Sequence, residues 1–142
     1  METSVDAVVS YVDRAVEQMA AIVTAPAAQI TVNRSIGKAA EDGILAQNPG
    51  AKPASFNTRL GWRYIDILTT SGDAIDVKLG RTYANPFFKR QVAKDVWLRA
   101  NGDLKGAIEY RFVRSPVTGR IGPSARAEAL LTRNGIIVTR VP

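Results

Sequence analysis

Asp66, Asp76 and Lys78 are the residues whose types and spacing could do chemistry. They lie in RYIDILTTSGDAIDVKLG, Arg63 to Gly80, where Ile, Leu and Val alternate on either side of Ser71-Gly72-Asp73. Alternate residues of a strand share a face, so Asp76 and Lys78 point the same way. A hairpin folding about Ser71-Gly72 brings Asp66 opposite the region of Asp76. Three charged groups then converge on one face of a sheet. Buried charge must be paired or metal-loaded, and two carboxylates that close repel unless a cation sits between them. With oxygen ligands only, that cation is Mg²⁺ or Mn²⁺ rather than zinc. The structural alternative is an Asp–Lys pair on a solvent-facing strand edge.

Composition narrows the chemistry. The chain of 142 residues has no histidine and no cysteine. Ser-His-Asp and Cys-His triads, histidine-based ribonuclease mechanisms and thiolate metal sites are therefore excluded. Hydrolysis would have to run on carboxylates, lysine and a metal. Net charge is +6 and uneven: residues 78–142 carry 13 basic and 4 acidic groups, against 6 and 9 in residues 1–77. Such a basic half suits a polyanion such as nucleic acid. No run approaches the roughly 20 apolar residues of a membrane span, and the acidic opening METSVD has no basic stretch of a secretory signal.

The elements that must position these residues follow from periodicity. Val5, Val8, Val12, Val16, Met19 and Val23 read as one face of an amphipathic helix that Pro26 ends, with Thr24 to Asn33 a connector. Residues 1–34 thus form a helix and connector, and 35–142 the main domain. A second helix is expected over Ser35 to Gln47 with Ser35 as N-cap. Asn48 to Trp62, with two prolines and two glycines, reads as a loop. The hairpin follows, then a helix opened by Asn85-Pro86 and stopped by Asn101-Gly102, with Phe88, Val92 and Val96 as its apolar stripe. Gly106 to Val113 is a strand, Ser124 to Arg133 a helix with Asn134-Gly135 as its C-cap, and Ile136 to Val141 a last strand. The fold class is α/β, a central mixed β-sheet flanked by helices.

Asp66, nine residues, then Asp76-Val77-Lys78 resembles the signature of the PD-(D/E)XK nucleases, with their restriction-endonuclease-like core. Ile65 stands where the pattern has proline, and Asp76 where glutamate is commoner. The resemblance implies a core of order α-β-β-α-β-α-β. It implies that Asp66 and Asp76 hold Mg²⁺ or Mn²⁺ with the Val77 carbonyl, and that Lys78 orients the attacking water and offsets charge on the phosphate. It further implies an acidic residue on the preceding helix, for which Glu41 is placed, on one helical face with Ile44 and Leu45. Gln91 corresponds to a glutamine that many members carry near the site. Arg81, Lys89, Arg90 and Lys94 are candidate phosphate contacts. Trp62, Tyr83, Phe87 and Trp97 are expected to serve core or hinge packing rather than base stacking.

From Ser35 to Pro142, with the stretch SPVTGRIGPSARAEALLTRNGIIV, the chain is similar to the restriction-endonuclease-fold toxin domains of bacterial polymorphic toxins. That resemblance implies an endonuclease delivered into a rival cell's cytoplasm and blocked by a cognate immunity protein. Its substrate would be DNA, with transfer RNA as the alternative. The competing class is a nucleic-acid-binding module without turnover.

Overall fold

The computed structural model describes residues 26–142, so the expected helix from Val5 to Val23 lies outside the described residues. The first helix, α1, spans Pro26–Ala46. Pro26 therefore begins a helix where the sequence suggested an end, and the expected connector is helical from there to Asn33. Proline is suited to a first turn, where its missing N–H has no partner to lose and its fixed φ is already helical. Ser35 lies inside α1 and does not cap it, and the expected boundary between residues 34 and 35 falls within this helix. Ile36, Ala40 and Ile44, at four-residue spacing, are fully buried against Ile67, Ile75, Val113 and Val141.

A strand the sequence did not announce follows: β1, Lys52–Thr58, in the segment read as a loop. It pairs antiparallel with β2, Gly61–Leu68, which pairs antiparallel with β3, Ala74–Leu79. β1 lies at the edge of its sheet. An edge strand tolerates Pro53, whose missing N–H can face away from the ladder. The turn from β2 to β3 is clasped by Asp73, whose Oδ1 accepts from the Ala107 N–H at 2.8 Å. Gly106 permits that approach, because a Cβ there would lie 2.4 Å from Asp73 Oδ1 and 2.7 Å from the Gly72 backbone.

A two-residue strand β4, Arg81–Thr82, leads to α2, Pro86–Ala100. Its cap is as expected: Asn85 accepts from the Phe88 N–H at 2.8 Å, with Pro86 in the first turn. β5, Ile108–Val113, runs parallel to β3. β6, Gly122–Pro123, pairs with β4. α3, Ala125–Arg133, is capped by Ser124 and closed by Asn134, and β7, Ile137–Val141, runs parallel to β5. The main sheet has the order β1-β2-β3-β5-β7, mixed as expected. α1 packs on one of its faces, while α2 and α3 pack on the other through Phe88, Val92, Leu98, Ala127 and Leu131. Among the described residues no helix is long and apolar enough to cross a membrane.

Candidate active site

The candidate cleft opens where β2 and β3 part. Their backbone pairs are Ile67–Ile75 and Leu68–Ala74. The next pair in that register would be Asp66 with Asp76, and there the ladder stops. The Asp66 side chain crosses the gap instead, its Oδ2 accepting from the Val77 N–H at 2.8 Å. A bulge prepares this. Between the pairs Ala54–Ile65 and Lys52–Leu68, β2 spends one residue more than β1. Accordingly Ile65 packs beneath α2 whereas Ile67 packs beneath α1, so the alternation of faces flips at Asp66. Bulges re-aim a side chain in this way.

Asp76 is 4% exposed and lies between two cations. Lys78 Nζ is 2.9 Å from its Oδ2, and Arg63 Nη2 is 3.3 Å from its Oδ1. Burial opposes its ionisation, but Lys78 and Arg63 together outweigh this and hold its carboxyl below the usual range. Asp66 behaves oppositely. Burial, with the neighbouring charge of Asp76, pushes its carboxyl up to about 8, against the opposing pull of the Val77 N–H. At neutral pH the two aspartates therefore hold one proton between them, as like charges this close must. The buried Oδ2 of Asp76 is thus paired with the Lys78 ammonium.

Lys78 also donates to Gln91 Oε1 at 2.7 Å and lies 5.8 Å from the centre of the Tyr110 ring. Gln91, Arg90 and Lys94 stand on the cleft-facing side of α2, and Glu41 of α1 reaches the cleft from the other face of the sheet. Burial raises the Glu41 carboxyl; Lys38 counteracts this and Asp76 adds to it. The whole recess is about 590 Å³. Glu41, Asp66, Asp76, Val77, Lys78, Arg90, Gln91 and Lys94 thus meet in one place. Arg81 does not join them, lining a separate recess with Arg34 and Arg120, and the exposed Lys89 lies outside the cleft lining as well.

One group of residues escaped the sequence reading, and a second is placed differently from its expectation. Beneath the cleft, Arg63 donates through Nε to Asp95 Oδ1 at 2.6 Å and through Nη2 to Asp95 Oδ2 at 3.1 Å. Tyr110 donates its hydroxyl to the same Oδ2 at 2.6 Å. Asp95 is fully buried. Burial drives its carboxyl upward even though Arg63 and Tyr110 stabilise the charge. Burial would pull the Arg63 guanidinium down, but Asp76 and Asp95 keep it above its ordinary value. The signal was available: Asp95 falls three residues after Val92 and seven after Phe88, on the buried stripe of α2. The second group is aromatic. Trp62, Tyr64 and Phe87 line the cleft, and Trp62, Tyr83 and Phe87 are exposed, so that of the expected core or hinge packing the core part does not hold for these three. Trp97, as expected, packs against the core.

No three acidic side chains among the described residues group closely enough to form a ready-made metal cage. The acidic groups that do share the recess are Asp66, Asp76 and Glu41, with Val77 also in its lining. The carboxylate donors are all oxygens, and Oδ2 of Asp76, 2.9 Å from Lys78 Nζ, is among them. Such a set suits a hard cation that keeps several waters and takes only one or two carboxylates from the protein. Comparison with protein-family models, curated proteins and solved structures returned no match.

Proposed function

We propose that the chain is a Mg²⁺- or Mn²⁺-dependent nuclease of restriction-endonuclease-like core, hydrolysing phosphodiester bonds in the cleft between β2 and α2. DNA is the leading substrate and RNA, transfer RNA in particular, the alternative. The observation that carries this reading is the meeting of Asp66, Asp76 and Lys78 at the parting of β2 and β3, in a recess lined by Arg90 and Lys94. Asp66 and Asp76, with the Val77 carbonyl and Glu41, would hold the cation. When bound, it would lower the pKa of a water and counter charge on the phosphate. Lys78, anchored by Gln91 and Asp76, would orient that water and meet the charge developing on the phosphate. Arg63 fixes Asp76 from below, so that one carboxylate oxygen stays committed to the protein. The role as a delivered effector, with its immunity protein, is supported by the resemblance over Ser35 to Pro142.

One observation favours the competing reading. Asp76 is already neutralised by Arg63 and Lys78, which a nucleic-acid-binding module without turnover would also require. Incubating the purified chain with plasmid DNA and total RNA, in Mg²⁺ or Mn²⁺ and then in chelator, separates the two. The nuclease cleaves at least one substrate only with metal. Retarded migration without cleavage in every metal would leave a binder.

A further inference from the structure

We propose that the exposed rings of Trp62, Tyr64 and Phe87 are a stacking platform for unpaired nucleobases, so that the cleft selects single-stranded or looped nucleic acid over duplex. This deepens the nuclease reading and rests on it for the catalytic consequence.

The three rings are 56%, 66% and 75% exposed, yet all line the recess that holds the carboxylates. Trp62 and Tyr64 alternate along β2 and so share a face of the strand. Phe87, Arg90, Gln91 and Lys94 are spaced three, four and seven residues apart and share a face of α2. The two walls are tied where Lys94 Nζ donates to the Trp62 carbonyl at 2.8 Å. The rings therefore stand on a braced strand and a capped helix.

The mixture points to the ligand. Flat apolar rings interleaved with Arg90, Lys94 and Lys78 match a polymer that repeats a flat base and a phosphate. Every base offers a π-face to an aromatic side chain, and cations track the backbone. Inside a duplex those faces are already stacked on one another, and only edges are presented. A ring can be met only by a base that is unpaired or splayed out. A purely apolar protein partner would leave the cations beside the rings unmatched.

The test measures binding of the full chain in chelator, at fixed salt, to three probes: an oligothymidylate, the same strand in a duplex with oligoadenylate, and an abasic strand of equal length. The Trp97→Phe variant leaves Trp62 as the sole indole and its fluorescence as a direct reporter. Expected are quenching by the base-bearing strand and about tenfold or greater preference for it over both other probes. Trp62→Ala and Phe87→Ala should each weaken that strand roughly five- to hundredfold, leaving the abasic strand unchanged. Both rings are at the surface, and a thermal melt checks the fold. Equal affinity for base-bearing and abasic strands overturns the proposal, as does an equal loss on both in the ring variants. Unchanged nucleic-acid binding, with loss of a protein partner instead, assigns the rings to a protein interface and also overturns it. Single-strand preference with no cleavage in Mg²⁺ supports the platform and removes only the nuclease reading.

Discussion

Arg63 and Asp95, 32 residues apart in sequence, form a buried ion pair with Nε 2.6 Å from Oδ1 directly beneath the cleft. The pair ties β2 to α2 and, through the second nitrogen, holds Asp76. Removing one partner of such a pair leaves an uncompensated buried charge. Asp95→Ala should therefore cost about 3–5 kcal/mol, read as a lower urea midpoint with unchanged slope. Loss of much less would mean that Asp76 alone satisfies the guanidinium.

The two aspartates should respond oppositely to neutralisation. The folded state holds the Asp66 carboxyl at about 8, above its ordinary 3.8, so it binds a proton there that the unfolded chain has released. This contribution is full below pH 4 and is lost as pH rises toward 8. Asp66→Asn should raise the Tm of the metal-free protein at pH 8, by about 2 °C or more, with little change near pH 4. Asp76 is held below 3.8 by Lys78 and Arg63, against its burial. Its stabilisation is present at neutral pH and fades only as pH falls below 3.8. Asp76→Asn should lower Tm at pH 7. Thermal melts of both variants across pH 4–8 check the pair, and parallel shifts would contradict the opposed carboxyls.

Millimolar Mg²⁺ should stabilise the wild-type chain more at pH 8 than at pH 5, since ligands must be deprotonated to bind. The same addition should do little for Asp66→Asn. Calorimetric scans with Mg²⁺ or chelator measure this. Equal responses of wild type and variant would remove Asp66 from the metal site.

Binding of nucleic acid should depend on Arg90 and Lys94 more than on Lys89. The first two line the cleft; Lys89 does not. Arg90→Glu with Lys94→Glu should weaken binding of all sequences about equally and flatten the salt dependence, because fewer counterions are released. Lys89→Glu should change both much less. Filter binding across a salt series decides it, and equivalence of the three positions would mean that only net charge matters.

Much of the fold was legible because local signals agreed with tertiary need. The Ser71-Gly72-Asp73 turn between alternating strands, the Asn85-Pro86 start and the Asn134-Gly135 stop each carry one unambiguous backbone instruction. Pro26 carries two, ending one helix or starting another, and only packing of Ile36, Ala40 and Ile44 distinguishes them. β1 was lost because Pro53 argues against a strand unless that strand is known to be an edge. The charged triad was readable from strand alternation and turn position, although the bulge at Asp66 breaks the simple alternation. Asp95 stood on the buried stripe of α2, but a lone charge on an apolar face announces burial only once its partner is found, and nothing local paired it with Arg63. The rings of Trp62 and Phe87 misled for the converse reason: aromatic character favours the interior, and nothing local reveals that β2 and β3 part beside them to open a recess.

The most direct test of phosphodiester hydrolysis at Asp66, Asp76 and Lys78 is single-turnover cleavage by Lys78→Ala, with binding measured on the same preparation. Lys78 contacts Asp76 and Gln91 and faces the recess, while other cations remain to meet the backbone. Its contribution should therefore fall mainly in the transition state. The predicted result is a rate lower by about two orders of magnitude or more, with affinity nearly unchanged. Wild-type cleavage by Lys78→Ala would contradict the site, and equal losses of rate and binding would reduce Lys78 to a phosphate anchor.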